Sequence, residues 1–149
     1  VTRLLGLDVG ERRIGLAVAD TDSGAVKPLA TIRRSEPARD TRTLARICDE
    51  QRIDELVIGL PLNMDGTEGE QARATRLWAA ALADGLGRPI SWRDERLTSE
   101  TAERRMGPPA RGSAGQPPSA AARNARRARI DREAAAEIVQ SELDARRSA

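Results

Sequence analysis

"LLGLDVGERRIGLAVAD", residues 4–20, reads as two short strands joined by a tight turn at Gly10 and Glu11, with a carboxylate set inside the first of them. Leu5, Leu7 and Val9 surround Asp8, while Ile14, Leu16 and Val18 alternate with smaller residues in the second run, the period of a strand. An ionised aspartate buried among such neighbours is costly without a partner. Asp8 therefore either bonds the backbone of the following turn, a common role when glycine comes two residues later, or serves a ligand.

Outward from this pair the chain alternates strands and helices. Residues 25–33 predict a third strand, and Leu44, Ile47 and Cys48 recur at helical spacing between about Ala38 and Gln51, which makes Cys48 core. "DELVIGLPL" is a short continuous apolar strand ended by Pro61 and buried on both faces. Thr67 three residues before Glu70 forms a capping-box pattern, and Ala72, Leu77, Trp78, Ala81 and Leu82 supply an apolar helix face as far as Gly85. "RPISWRDERL" predicts a fifth strand, after which Thr98 or Ser99 caps another helix. Gly107 to about Arg127 has no hydrophobic period and reads as a mobile basic loop; a last helix runs from about Asp131 to Arg146. The order predicts one α/β domain over residues 1–149, a mixed five-stranded sheet with an antiparallel entry meander and helices on both faces.

Composition narrows the chemistry. The chain has no histidine and a single cysteine, which excludes an internal disulfide and the usual zinc constellations. Any metal must then sit on oxygen, which favours magnesium or manganese. No run of eighteen apolar residues or signal-peptide pattern occurs, so the expectation is a cytoplasmic protein with no membrane partner. Net charge is only +2, yet Arg104, Arg105, Arg111, Arg123, Arg126, Arg127, Arg129 and Arg132 face Asp131 alone across their stretch, a pattern suited to phosphate. Trp78 and Trp92, the only aromatics, fall in apolar patterns, so base stacking is poorly supplied and recognition by backbone and shape is expected.

Two more carboxylate positions stand out. At about 100° per residue Asp131 lies about 40° from Ala135 and about 20° from Ile138, and so faces the sheet, although aspartate is equally a favoured N-cap. Asp94 and Glu95 are adjacent near a strand end, so the pleat sends them to opposite faces and only one can join Asp8. Together these acids suggest a shared metal for phosphodiester hydrolysis, where divalent ions stabilise the attacking and leaving oxygens. Gly6, Gly10 and Gly15 would let a phosphate approach the backbone, the helix start after "LPLNMDGT" offers amides to an anion, and Arg12 and Arg13 would hold the strand nearby.

"LLGLDVGERRIGLAVAD", "LVIGLPLNMDGTEGEQA", "RDERLTSETAE" and "IDREAAAEIVQSELD", in this order across nearly the whole chain, resemble the YqgF/RuvX family of the RNase H-like superfamily. Members are described as Holliday junction resolvases and as the nuclease maturing the 5′ end of pre-16S rRNA. The resemblance implies an RNase H-like, Mg2+- or Mn2+-dependent nuclease with its acidic site on Asp8, Glu95 and Asp131, Asp94 being the alternative to Glu95. It further implies structured RNA or branched DNA as partner and a homodimer if junctions are resolved, and the expected nucleic-acid contacts are Arg12, Arg13, Asn63, Arg96, Arg123, Arg126, Arg127 and Arg129. The segment from Gly107 to Arg127 is longer than the family's usual basic connection. Two other readings stay open: an actin- or Hsp70-like ATPase, because "GLDVG" also opens that fold, and an RNA-binding module without catalysis.

Overall fold

β-Branched and leucine-rich runs separated by turns assemble into five strands: β1 (Arg3–Val9), β2 (Arg13–Asp20), β3 (Val26–Arg33), β4 (Glu55–Leu60) and β5 (Ile90–Asp94). The computed structural model describes residues 2–95 and 115–148. The sheet order is β3-β2-β1-β4-β5. β1, β2 and β3 form an antiparallel meander, and β4 and β5 run parallel to β1. Three helices are described: α1 (Pro37–Gln51), α2 (Glu70–Leu86) and α3 (Ala120–Ser148). None of them is long and apolar enough to cross a membrane.

The two-residue period of the strands divides the core. Leu5, Leu7, Val9, Ile14, Leu16, Leu56 and Ile58 meet Leu44 and Cys48 of α1 and Trp78 and Leu82 of α2 on one face. Leu4, Ala17, Ala19 and Val57 meet Ala135, Ile138, Val139 and Leu143 of α3 on the other. Cys48 is fully buried, as its helical phase predicts, and burial pushes its thiol pKa up.

Small residues let α3 lie close to the sheet. A Cβ on Gly6 would stand 2.7 Å from the Ala135 carbonyl oxygen, and one on Gly15 would overlap the carbonyl of Asp131. The role expected for these two glycines is thus corrected: they admit a helix backbone, not a phosphate. Because backbone, rather than a flexible side chain, fills the space, Gly15→Ala is expected to destabilise the fold by at least about 2 kcal/mol and to push Asp131 outward. Chemical denaturation of the variant measures the first effect.

Three expectations for the helices change. Leu77 is 73% exposed, and α2 buries Ala72, Thr75, Trp78, Ala79, Leu82 and Leu86 instead. Thr67 caps nothing: its backbone N–H and hydroxyl both donate to Asp65 Oδ1, so the loop turns once more and α2 starts at Glu70 behind Gly69. The stretch 120–127, read as mobile loop, forms the first turns of α3. Ser119 accepts the Ala122 N–H at its side chain and the Arg123 N–H at its carbonyl, and the alanines and arginines that follow are strong helix formers without needing a buried face. The remainder of the expected loop, residues 107–114, the expected helix after Thr98 or Ser99, and Arg96 lie outside the described residues.

Candidate active site

β1 and β4 end side by side in the middle of the sheet, where the register sets Asp8 opposite Gly15 and Leu60 opposite Asp94. The pleat that points Gly6 at α3 also points Asp8 to that face, two residues further along. On β4 and β5, Gly59 pairs with Arg93, and a Cβ on Gly59 would stand 2.5 Å from Glu95 Oε2. Glu95 thus shares the α3 face with Asp8, whereas Asp94 is exposed. The backbone continues the ladder one step past β5, Glu95 N–H donating to the Leu60 carbonyl at 3.2 Å.

The two carboxyls meet in a hydrogen bond. Burial pushes the Asp8 pKa up to about 6, with the Asp131 charge adding to the rise and the bond from Glu95 opposing it. Burial likewise pushes Glu95 up to about 9, reinforced by the charge of Asp8 and by the shared bond. At neutral pH the pair therefore holds one proton, shared in the hydrogen bond between the two carboxyls.

Asp131 approaches from α3. It is the twelfth residue of the helix, not its cap, so the capping role is excluded and the sheet-facing phase holds. Arg13 Nε donates to its Oδ2 at 2.7 Å. The three acids line one pocket of about 360 Å3 with Gly10, Asn63, Gly69 and Gln71. Opposite them is the start of α2, where Gly69 brings no capping side chain and Asn63 Nδ2 donates to Thr67 Oγ1 at 3.0 Å. Gly10 keeps a place in the pocket wall, its carbonyl accepting from Arg34 Nη1 and its N–H donating to the Arg13 carbonyl.

These oxygens fit a hard divalent cation in chemistry: converging carboxyls that must share a proton in the cation's absence are a ready oxygen donor set. They do not yet form a complete cage. Among the described residues no three carboxylates are grouped to hold a metal ion, and Asp131 is engaged by Arg13.

The predicted basic residues divide. Arg13 touches the site directly and Asn63 lines it, whereas Arg12 and Arg127 line a neighbouring groove. Arg123 donates to the Pro118 carbonyl, and Arg126 and Arg129 lie on the first turns of α3; none of these three lines the acidic pocket. Gln71 was not foreseen as a pocket residue. With the helix cap placed two residues early, at Thr67 instead of Gly69, it falls further into the helix body, whereas it is the second residue of the helix, beside the opening.

An antiparallel meander continued by parallel strands, with acidic side chains brought to one face by the first strand, the end of the fifth and the last helix, defines an RNase H-like protein. Two structures of Thermus thermophilus RuvC share the fold: one in complex with a Holliday junction substrate (TM-score 0.57, 14% identity, 98% of this chain and 96% of that one) and one described as the protein's structure (TM-score 0.58, 13% identity, 99% and 97%). The family model described as "RuvX: Holliday junction resolvase" matches residues 2–145, and the chain belongs to that family. Relatives carrying the name "Putative pre-16S rRNA nuclease" include those of Chloroflexus aurantiacus, 40% identical over 97% of this chain and 88% of the relative, and of Anaeromyxobacter sp. strain K, 42% identical over 97% and 98%.

Proposed function

We propose that this protein hydrolyses phosphodiester bonds in structured nucleic acid, using Mg2+ or Mn2+ held by Asp8, Glu95 and Asp131. The observation that carries the reading is the half-buried Asp8–Glu95 pair, two carboxyls in hydrogen-bond contact whose shared proton a divalent cation would replace. When bound, the metal would supply charge stabilisation to the oxygens around phosphorus and a nucleophilic water at neutral pH in a chain that has no histidine to act as the base.

The chain's own groups do the rest. The open N-terminus of α2 at Gly69 offers backbone N–H groups to a phosphate oxygen from the side opposite the acids, and Asn63 and Gln71 flank that approach. Arg12, Arg13, Arg123, Arg126, Arg127 and Arg129 track the rest of the backbone as phosphate contacts, which position the strand and read no bases. The substrates that family membership favours are the 5′ end of pre-16S rRNA, met in the cytoplasm, and a four-way junction, for which two copies of the chain would act as a dimer.

Chelation tests the metal. Cleavage of junction, single-stranded and pre-rRNA substrates is expected to cease in excess EDTA and to return with Mg2+ or Mn2+, and the substrate cut fastest identifies the preferred class. Full turnover under EDTA, with trace metal excluded, would contradict the proposal.

A further inference from the structure

Arg13 belongs to two sites at once. Its bond to Asp131 places it at the wall of the acidic pocket. On its other side it lines a groove of about 350 Å3 between the β2–β3 hairpin and α3, with Arg12, Thr31, Arg33, Asn124 and Arg127. Thr31 donates its hydroxyl to the Ala128 carbonyl at 2.6 Å, which pins α3 against β3 and holds the groove to its width. Four arginines converge there, and no acidic residue is among the described residues that line it. Clustered guanidinium groups repel one another and match phosphate oxygens in paired hydrogen bonds, so the groove is built for an anion of that geometry.

The contact with Asp131 is of a kind that such an anion can divert. It uses one of the five N–H donors of the guanidinium, and the two side chains are 35% and 20% exposed, a setting in which an ion pair is weak. While the contact lasts, a cation arriving at Asp8 and Glu95 meets a positive charge where its third ligand should be.

We propose that the groove takes a backbone phosphate of the nucleic acid and that this phosphate draws Arg13 off Asp131, so that substrate binding frees the third carboxylate for the metal. The inference rests on the metal-site reading above. It makes Arg13 a positioning residue that couples the two sites, and the coupling is reciprocal: phosphate tightens the metal and metal tightens the phosphate.

Mn2+ binding to the full chain without nucleic acid, followed by electron paramagnetic resonance of the free ion, tests the coupling. Arg13→Gln is expected to bind Mn2+ about two- to fivefold more tightly than the unaltered protein, the factor that corresponds to releasing a part-exposed ion pair. Arg13→Met, which keeps the aliphatic stem, should behave alike. Arg12→Gln removes a neighbouring charge without touching Asp131 and should have a clearly smaller effect. A second measurement follows the arginine Nε–H resonances, that of Arg13 being identified by its loss in Arg13→Gln. A short DNA duplex added without metal should move the Arg13 signal towards its position in Asp131→Asn, and Arg33→Ala combined with Arg127→Ala should abolish that movement. Equal Mn2+ affinity in Arg13→Gln and the unaltered protein, with binding lost in Asp8→Asn, would overturn the coupling and leave the metal site standing. So would a duplex that binds without moving the Arg13 signal. Unchanged Mn2+ affinity in both Asp8→Asn and Glu95→Gln would overturn the metal site itself.

Discussion

Asp8→Asn is expected to lower phosphodiester cleavage by about a thousandfold or more, since a bound metal supplies several kcal/mol of transition-state stabilisation and each factor of ten corresponds to about 1.4 kcal/mol. Glu95→Gln and Asp131→Asn should do the same. The amides preserve shape and remove the charge that would hold the cation. Nucleic-acid affinity should survive or rise, because a negative charge facing phosphate has been taken away. The folded protein should not suffer either: Asp8 and Glu95 are held together against their desolvation, so Asp8→Asn is expected to raise the thermal midpoint of the metal-free protein. Asp94 serves as the internal control. It is exposed on the opposite pleat from Glu95, and Asp94→Asn should retain nearly full activity. Single-turnover cleavage and fluorescence anisotropy on the same preparations separate chemistry from binding. Near-normal turnover by folded Asp8→Asn would remove the acidic site from consideration.

The second large effect lies in the pH dependence of stability without metal. Both carboxyls have folded pKa values above their unfolded ones, from 3.8 to about 6 for Asp8 and from 4.5 to about 9 for Glu95, through burial first, with the Asp131 charge adding to the rise of Asp8 and the Asp8 charge to that of Glu95. Over those windows the folded state binds more protons than the unfolded state, so stability falls as pH rises. The contribution of the pair is complete below about pH 4 and is lost progressively up to about pH 9. In EDTA the thermal midpoint is therefore expected to decline across this range, and Glu95→Gln should remove most of the decline above pH 6. A cation reverses the trend. It competes with the shared proton and binds the folded state alone, so Mn2+ should stabilise more at pH 8 than at pH 5. A metal-free midpoint that rises from pH 5 to pH 9, equally in the Glu95→Gln variant, would contradict the pairing of these two acids.

Much of this protein was legible in its residue pattern. The alternation of Leu5, Leu7 and Val9 and of Ile14, Leu16 and Val18, the continuous run of β4, and the helical spacing of Leu44 and Cys48 all rest on burial, the strongest signal a chain carries. Their bounds lie within two residues of those expected. Features independent of burial were harder to read. The exposed first turns of α3 are stabilised by alanine propensity and the Ser119 cap rather than by an apolar face, so a search for hydrophobic period passes over them. The start of α2 depends on which acceptor Thr67 chooses, Asp65 rather than a helix N–H.

The sequence by itself determined the strand and helix periodicity, the exclusion of zinc and disulfide chemistry, and three carboxylates at positions where burial would be costly. It also carried, through its motifs, the family to which the chain belongs. The tertiary structure alone decided that Glu95 rather than Asp94 meets Asp8, because face selection depends on how β5 pairs with β4 and not on the dipeptide itself. It decided that Gly6 and Gly15 admit α3, and that Asp131, 118 residues away in the chain, lies within reach of Arg13. Periodicity is a local property of consecutive residues, whereas a close approach of backbone to backbone and a charge pair across such a separation exist only once the sheet register and the depth of α3 against it have been set.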